Sequence, residues 1–271
     1  MNTTTLKKKF SFERVALLLK NRALDDLPSL LIGVGILFGV NLLSIIGTGY
    51  ALFNSGNGQI WTVFLLGAGI VLSGYAFREM HDEKAGLDWV LLPATPLEKY
   101  VAALVEYVVL YPLVGALVVM GLSGLLSALE LVAGGPGGRI WTPGTDFGSV
   151  MSIWGNYAIF SLWFLAGAAT FRRKPLLKSA GNLLVYVLVM AGFAFAILFA
   201  HRIPRNVAFN SSAYSFMWNG AGRYMAWPLS GGAATALNII LNVLLYGIVP
   251  IFCIGYGYLR VEEKEVRDEV Q

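Results

Sequence analysis

The chain has 271 residues, 56% of them hydrophobic and 13% charged, with a mean hydropathy of +0.66. Soluble domains carry about 25% charged residues, so this composition, with 31 glycines and 7 tryptophans, excludes a soluble globular domain and a disordered one. It implies an all-α polytopic membrane protein. The net charge of +4 reads as Lys and Arg held on the cytoplasmic side of a membrane, not as nucleic-acid binding.

The N-terminal Lys7, Lys8 and Lys9 are followed by an amphipathic stretch and by Asp25 and Asp26, with no small-residue cleavage site, so no cleavable signal peptide is expected. Segment 10–22, FSFERVALLLKNR, places Phe12, Val15, Ala16 and Leu19 at helical spacing and its charges elsewhere. This predicts an interfacial amphipathic helix on the membrane surface, with Pro28 breaking the chain before the first span. The competing reading is a plain extension of that span.

Six apolar runs follow, at about 29–53, 60–77, 100–122, 150–171, 179–200 and 233–259. Each is near or above the roughly 18–20 residues a crossing needs, and each must be helical to satisfy its backbone inside lipid. The third run stays apolar to 132. Either Pro112 kinks it, or 122–132 forms a separate helix at the outer surface. With the N-terminus inside, sixteen Lys and Arg face the cytoplasm and four face outward. That bias predicts six spans with both termini cytoplasmic, in one membrane domain covering 1–271 and no appended catalytic domain.

The connections carry their own signals. Segment 78–99 mixes charge with Leu87, Trp89, Val90, Leu91 and Leu92. Segment 133–149 is rich in Gly and Pro, and 201–232 holds Trp218, Tyr224 and Trp227 among other large apolar side chains. The last is expected to rest in the outer interface or re-enter the outer leaflet.

Enzymatic chemistry has little to stand on. There is no P-loop, no H-E-x-x-H and no G-x-S-x-G. Cys253 has no cysteine to pair with, and His81 and His201 cannot make a His-rich metal site. Catalytic, cofactor-binding and metal-binding residues are therefore expected to be absent.

Glu106 is the acid placed well inside a predicted span, where it serves either as a partner for a nearby base or as a proton or substrate site. Asn238 and Asn242 project from one helix face, as interhelical hydrogen bonders or as a polar path lining. Gly35 and Gly39 form G-x-x-x-G, and Ala166, Gly167, Ala168 and Ala169 crowd the fourth span. Such small residues permit close helix packing, within one chain or between chains.

The stretch Trp89-Val-Leu-Leu-Pro-Ala-Thr-Pro-Leu-Glu-Lys-Tyr100 resembles the W-x-x-L-P-x-[ST]-x-x-E-[KR] motif of membrane subunits of bacterial type-2 ATP-binding-cassette exporters. The opening FSFERVALLLKNR and the closing YLRVEEKEV are similar to that family's amphipathic first helix and charged tail. The resemblance covers the layout of the whole chain, but only about 35 residues in motif. It implies a multi-pass permease subunit of the bacterial cytoplasmic (inner) membrane. Two such chains, like or unlike, would pair with two cytoplasmic ATPase subunits that carry ATP and Mg. It also implies that 86–97 is a coupling helix docking on the ATPase. Trp89, Leu91 and Leu92 would be its apolar anchor, Asp88 and Glu98 its register-setting charges, and Pro93 a stiffener. Without the resemblance, the same segment reads as an interfacial anchor. The alternatives are a non-transporting assembly protein and a proton-linked carrier using Glu106.

Overall fold

A computed structural model describes residues 10–48, 59–82, 86, 89, 91–135, 140, 142, 147–200 and 243–269. Asp88, Trp218, Tyr224, Trp227, Asn238 and Asn242 lie outside them, as does the whole 201–232 segment. Every regular element among the described residues is helical. Five stretches are long and apolar enough to cross a membrane: Leu30–Thr48, Val63–His81, Pro96–Val132, Val150–Thr170 and Leu244–Glu265. They fall on the predicted first, second, third, fourth and sixth spans, consistent with an α-helical polytopic membrane protein. The predicted fifth span lies on the helix Pro175–Ala200, whose apolar part within the described residues is Pro175–Val189.

The chain divides into two compact units. The first comprises Met1–Leu72, Arg78–Pro143 and Tyr258–Gln271. Its first helix, α1 (Phe12–Thr48), corrects the expectation of a separate surface helix: segment 10–22 is helical from Phe12 but runs unbroken through Pro28 into the first span. Pro28 lacks the N–H that would reach the Leu24 carbonyl, and the helix carries that one missing bond in its interior. Next come α2 (Gln59–Ser73), the single turn α3 (Arg78–His81), α4 (Pro96–Leu104), and α5 (Tyr111–Val132), which follows α4 through a π-helical segment at Val105–Leu110.

The third run is thus one uninterrupted helical rod of 37 residues, Pro96–Val132. At 1.5 Å per residue it is about 55 Å long, well beyond the ~30 Å hydrocarbon core. Residues 122–132 continue it. The wide turn absorbs Pro112, which cannot donate to the ladder: a π segment re-spaces the carbonyls just before the proline.

Helix α1 packs on α4 and α5. Ile45, Val119, Leu122 and Leu126 form a core with Val34, Leu37, Phe38 and Leu65 against them. These positions recur at spacings of three and four along α1 and α5, so each helix turns one apolar stripe toward the other. Asn41 is fully buried beside that stripe and donates its Nδ2 to the Leu37 carbonyl one turn back, at 2.8 Å. Helices α2 and α5 approach closely at Gly115, where an added Cβ would strike the Leu65 side chain. One turn earlier, the Tyr111 hydroxyl donates to the Leu65 carbonyl at 3.2 Å.

The second unit comprises Ser73–Phe77 and Gly144–Gly257. It contains a helical hairpin of α6 (Phe147–Thr170) and α7 (Pro175–Ala200), and a π-helical segment Leu244–Ile248 leading into α8 (Val249–Glu269). Pro175 opens α7 where a missing N–H costs nothing. Lys174, just before it, takes a left-handed φ of 53° to turn the chain.

The hairpin closes on Gly167, where a Cβ would lie 2.8 Å from Ser179 Cβ. Trp163 Nε1 donates to the Ser179 carbonyl at 3.2 Å, and its ring lies 5.5 Å from that of Tyr186. The Tyr246 hydroxyl donates to Asn156 Oδ1 at 2.6 Å. The small residues of the fourth span therefore do bring helices together. At Gly35 and Gly39, nothing among the described residues lies within 4 Å of a Cβ placed there. From Tyr258 onward, α8 belongs to the first unit.

Candidate functional site

Among the described residues of the first unit, a dense group of buried polar contacts lies at the start of α4. Thr95 is the N-cap, its Oγ1 accepting from the Glu98 N–H at 3.3 Å, while the Glu98 carboxylate accepts from the Thr95 N–H at 2.8 Å. This reciprocal capping box, with Pro96 at the first helical position, fixes where the helix begins. The local sequence T-P-L-E dictates it: a hydroxyl, a residue that needs no donor, and a carboxylate three residues on.

That carboxylate also reaches outside its own helix. Glu98 is 0% exposed and accepts from the Ser11 N–H at 2.7 Å. Arg14 grips it with a fork, Nε at 3.1 Å from each oxygen and Nη2 at 2.7 Å from Oε1. The hydrogen bond to Glu98 raises the Arg14 pKa further above its ordinary value, so the pair stays ionised.

The next residue turns elsewhere. Lys99, 1% exposed, donates its Nζ to the Trp89 carbonyl at 2.6 Å and to Glu265 Oε1 at 2.7 Å, and lies 4.3 Å from the centre of the Trp89 ring. Two successive residues on a helix diverge by about 100°, so opposite charges at 98 and 99 point to different neighbours. One fastens the start of α1 and the other the far part of α8, and the Lys99 ammonium also lies over the ring of Trp89, which is helical. Tyr100 adds an edge-on ring contact with Tyr258, centroids 6.3 Å apart.

Of the expected coupling residues, Trp89 is buried under Lys99 and Glu98 is enclosed by Arg14, Ser11 and Thr95. Leu91, at 76% exposed, and Leu92 are exposed, as is Leu97. Pro93 lies in the bend between Leu91 and Thr95.

Glu106 occupies the π segment, and its Oε2 lies 3.4 Å from Arg22 Nη1, with both side chains largely buried. The structural-partner reading of this acid therefore has a named base, supplied by α1. Sequence reasoning missed Glu130, which is 2% exposed near the end of α5. With Ser123 and Ser127 it forms a buried polar row at spacings of four and three. The signal was available as S-x-x-x-S-x-x-E, but Glu130 stands at the edge of the apolar run, where an acid looks solvated. Among the described residues no group of three or more His, Cys, Asp or Glu is placed to hold a metal ion.

No family model, curated protein or solved structure matches the chain. What it does rests on the geometry around α4.

Proposed function

We propose that the chain is the permease subunit of an ATP-driven exporter, with six spans, both termini cytoplasmic, and energy supplied by separate ATPase subunits that carry ATP and Mg. Two permease chains would form the path. The observation that carries this reading is the arrangement around Trp89–Lys99. Exposed Leu91, Leu92 and Leu97 lie beside a capped helix start whose buried ion pairs hold α1 and α8. A partner pressing on those leucines would push on the start of α4, which the Trp89 carbonyl joins through Lys99 and which is ion-paired to α1 and α8, so displacement would pass into those helices with little slack. Their apolar side chains suit a hydrophobic groove, and the buried Glu98 and Lys99 act as anchors inside the chain, not as partner contacts. The bacterial inner membrane is the location this reading implies.

Affinity purification of the full chain from its native membrane, followed by mass spectrometry, tests it. The expected result is a co-purifying ATPase with a P-loop, whose hydrolysis rises when the chain is present. Transport by the purified chain alone in liposomes without nucleotide would overturn the proposal. Such transport, if it also vanished in Glu106→Gln, would establish the carrier alternative.

A further inference from the structure

Two charge contacts between α1 and the rod Pro96–Val132 repeat at one spacing. Arg14 meets Glu98 and Arg22 meets Glu106, in each case 84 positions apart. A constant offset means that the two helices run in the same direction and stay in register over about 12 Å. Val15 of α1 and Ala102 and Ala103 of α4 are buried along that stretch.

A level on α1 can therefore be read across to the rod. Asp25 is exposed one turn beyond Arg22. An exposed carboxylate is costly in hydrocarbon, so α1 enters the membrane after Asp25. Its candidate span Leu30–Thr48, 19 residues long, then fits the ~30 Å core. Glu106 stands level with Arg22, and hence outside that entry. The rod enters hydrocarbon from about Leu110, and the ~34 Å from there to Val132 matches the core. The early part of the rod, which makes it too long for one crossing, is thus outside the lipid.

From Asp25 back to Phe12 the helix extends about 20 Å. A headgroup layer adds only about 5–8 Å, and a tilt of about 40°, the upper end for membrane helices, still leaves about 15 Å. That end stands in water, yet it is apolar. Phe12 is 80% exposed, the Phe10 ring meets it edge-on at 5.0 Å, and Ser11 between them donates its N–H to Glu98 at 2.7 Å. This bond brings the two rings to the start of the rod, where Leu97 and, a few residues earlier, Leu91 and Leu92 are also exposed. Lipid at that distance cannot cover these side chains. In sequence, Lys7, Lys8 and Lys9 immediately precede Phe10, and salt screens them from a membrane surface more than a Debye length of about 8 Å away. An apolar end adjoining three lysines fits a water-soluble protein whose apolar groove has an acidic rim.

We infer that α1 and α4 leave the membrane side by side as a cytoplasmic stalk, and that Phe10 and Phe12 join Leu91, Leu92 and Leu97 in a tip that docks the ATPase subunit away from the lipid. The identity of the partner rests on the exporter reading; the stalk does not.

The experiment is hydroxyl-radical footprinting of the full wild-type chain in nanodiscs, read by mass spectrometry, first alone and then with the co-purified ATPase. Alone, Leu91 and Leu97 should oxidise roughly tenfold faster than Leu31 and Leu117, which are also exposed on the chain but lie in hydrocarbon, where water is excluded. All four are leucines, so intrinsic reactivity cancels. With the ATPase bound, Phe10, Phe12, Leu91 and Leu97 should all lose oxidation. Equal protection of both leucine pairs in discs holding one chain overturns the stalk and assigns the tip to lipid. Protection found only in discs holding two chains overturns the docking and assigns the tip to a second copy. Neither result touches the exporter reading. An ATPase complex that shields Leu91 and Leu97 but leaves Phe10 and Phe12 oxidised overturns the tip as drawn, while the exporter reading stands. A fast-oxidising tip with no ATPase in the purified material overturns the partner and the exporter reading together.

Discussion

Replacing Lys99 with methionine removes the ammonium and keeps most of the stem. Glu265 Oε1 then loses its donor at 2.7 Å, and the Trp89 carbonyl loses one at 2.6 Å. Glu265 is itself buried, so its carboxylate loses the Lys99 ammonium in a poorly solvated setting. Breaking a buried ion pair from one side costs about 3–5 kcal/mol. With roughly 2–4 °C of melting temperature per kcal/mol for chains near this size, Lys99→Met should melt about 6–20 °C below wild type. The partner variant Glu265→Leu strands the Lys99 ammonium and should fall by a similar amount. The double variant removes both charges together and should recover at least half of either loss, because an apolar pair of similar volume replaces the ion pair. Thermal unfolding of the purified protein in one detergent, followed by fluorescence-detected size exclusion, measures all three. If Lys99→Met melts within about 2 °C of wild type, or if the two single losses simply add in the double variant, Lys99 and Glu265 are not a coupled buried pair.

Thr95→Ala deletes the hydroxyl of the capping box and should destabilise by about 1 kcal/mol, a loss largely absent when Glu98 is already replaced by alanine, since the two groups cap reciprocally. Gly167→Val should cost about 1–3 kcal/mol, because the Ser179 Cβ cannot rotate away from the added carbon; Ser179→Gly in the same chain should return part of it, read from the same melting curves. Leu91→Asp should leave the melting temperature within about 1 °C, as an exposed surface change, yet lower partner ATPase stimulation at least tenfold; normal stimulation would remove Leu91 from the coupling surface. Glu106→Gln should preserve ATP-dependent transport in proteoliposomes, since its pairing with Arg22 gives it a structural role in the permease reading; complete loss with unchanged folding would move it into the transport path.

Composition located five of the six predicted runs on helices long and apolar enough to cross a membrane, because hydrophobic length is a local property: a run of apolar residues declares itself without reference to the rest of the chain. The T-P-L-E capping box at 95–98 lies inside the stretch that resembles a partner motif, so one set of residues carries both signals. What could not be read locally was the destination of the charges. Glu98 meets Arg14 across 84 residues and Lys99 meets Glu265 across 166, and nothing in either segment announces the other. The continuity of α1 through Pro28 and the π turn before Pro112 were hidden for a related reason. A proline marks a missing hydrogen bond, but whether the helix breaks or carries the defect depends on the helices packed beside it. Of the small-residue motifs, Gly167 meets Ser179 while Gly35 and Gly39 have no neighbour within 4 Å among the described residues, because spacing alone does not say which helix face has a neighbour in the chain.

The ion pair between Lys99 and Glu265 also bears on biosynthesis. The ribosome makes residue 265 only after another 166 residues have left residue 99, roughly 10–30 s later at 5–20 residues per second. Throughout that interval the third hydrophobic segment has been delivered to the translocation machinery with a lysine at its boundary and no acid from α8 to receive it. Until then the ammonium has no α8 carboxylate, and the buried pair at the start of α4 is completed only when the late-made helix arrives.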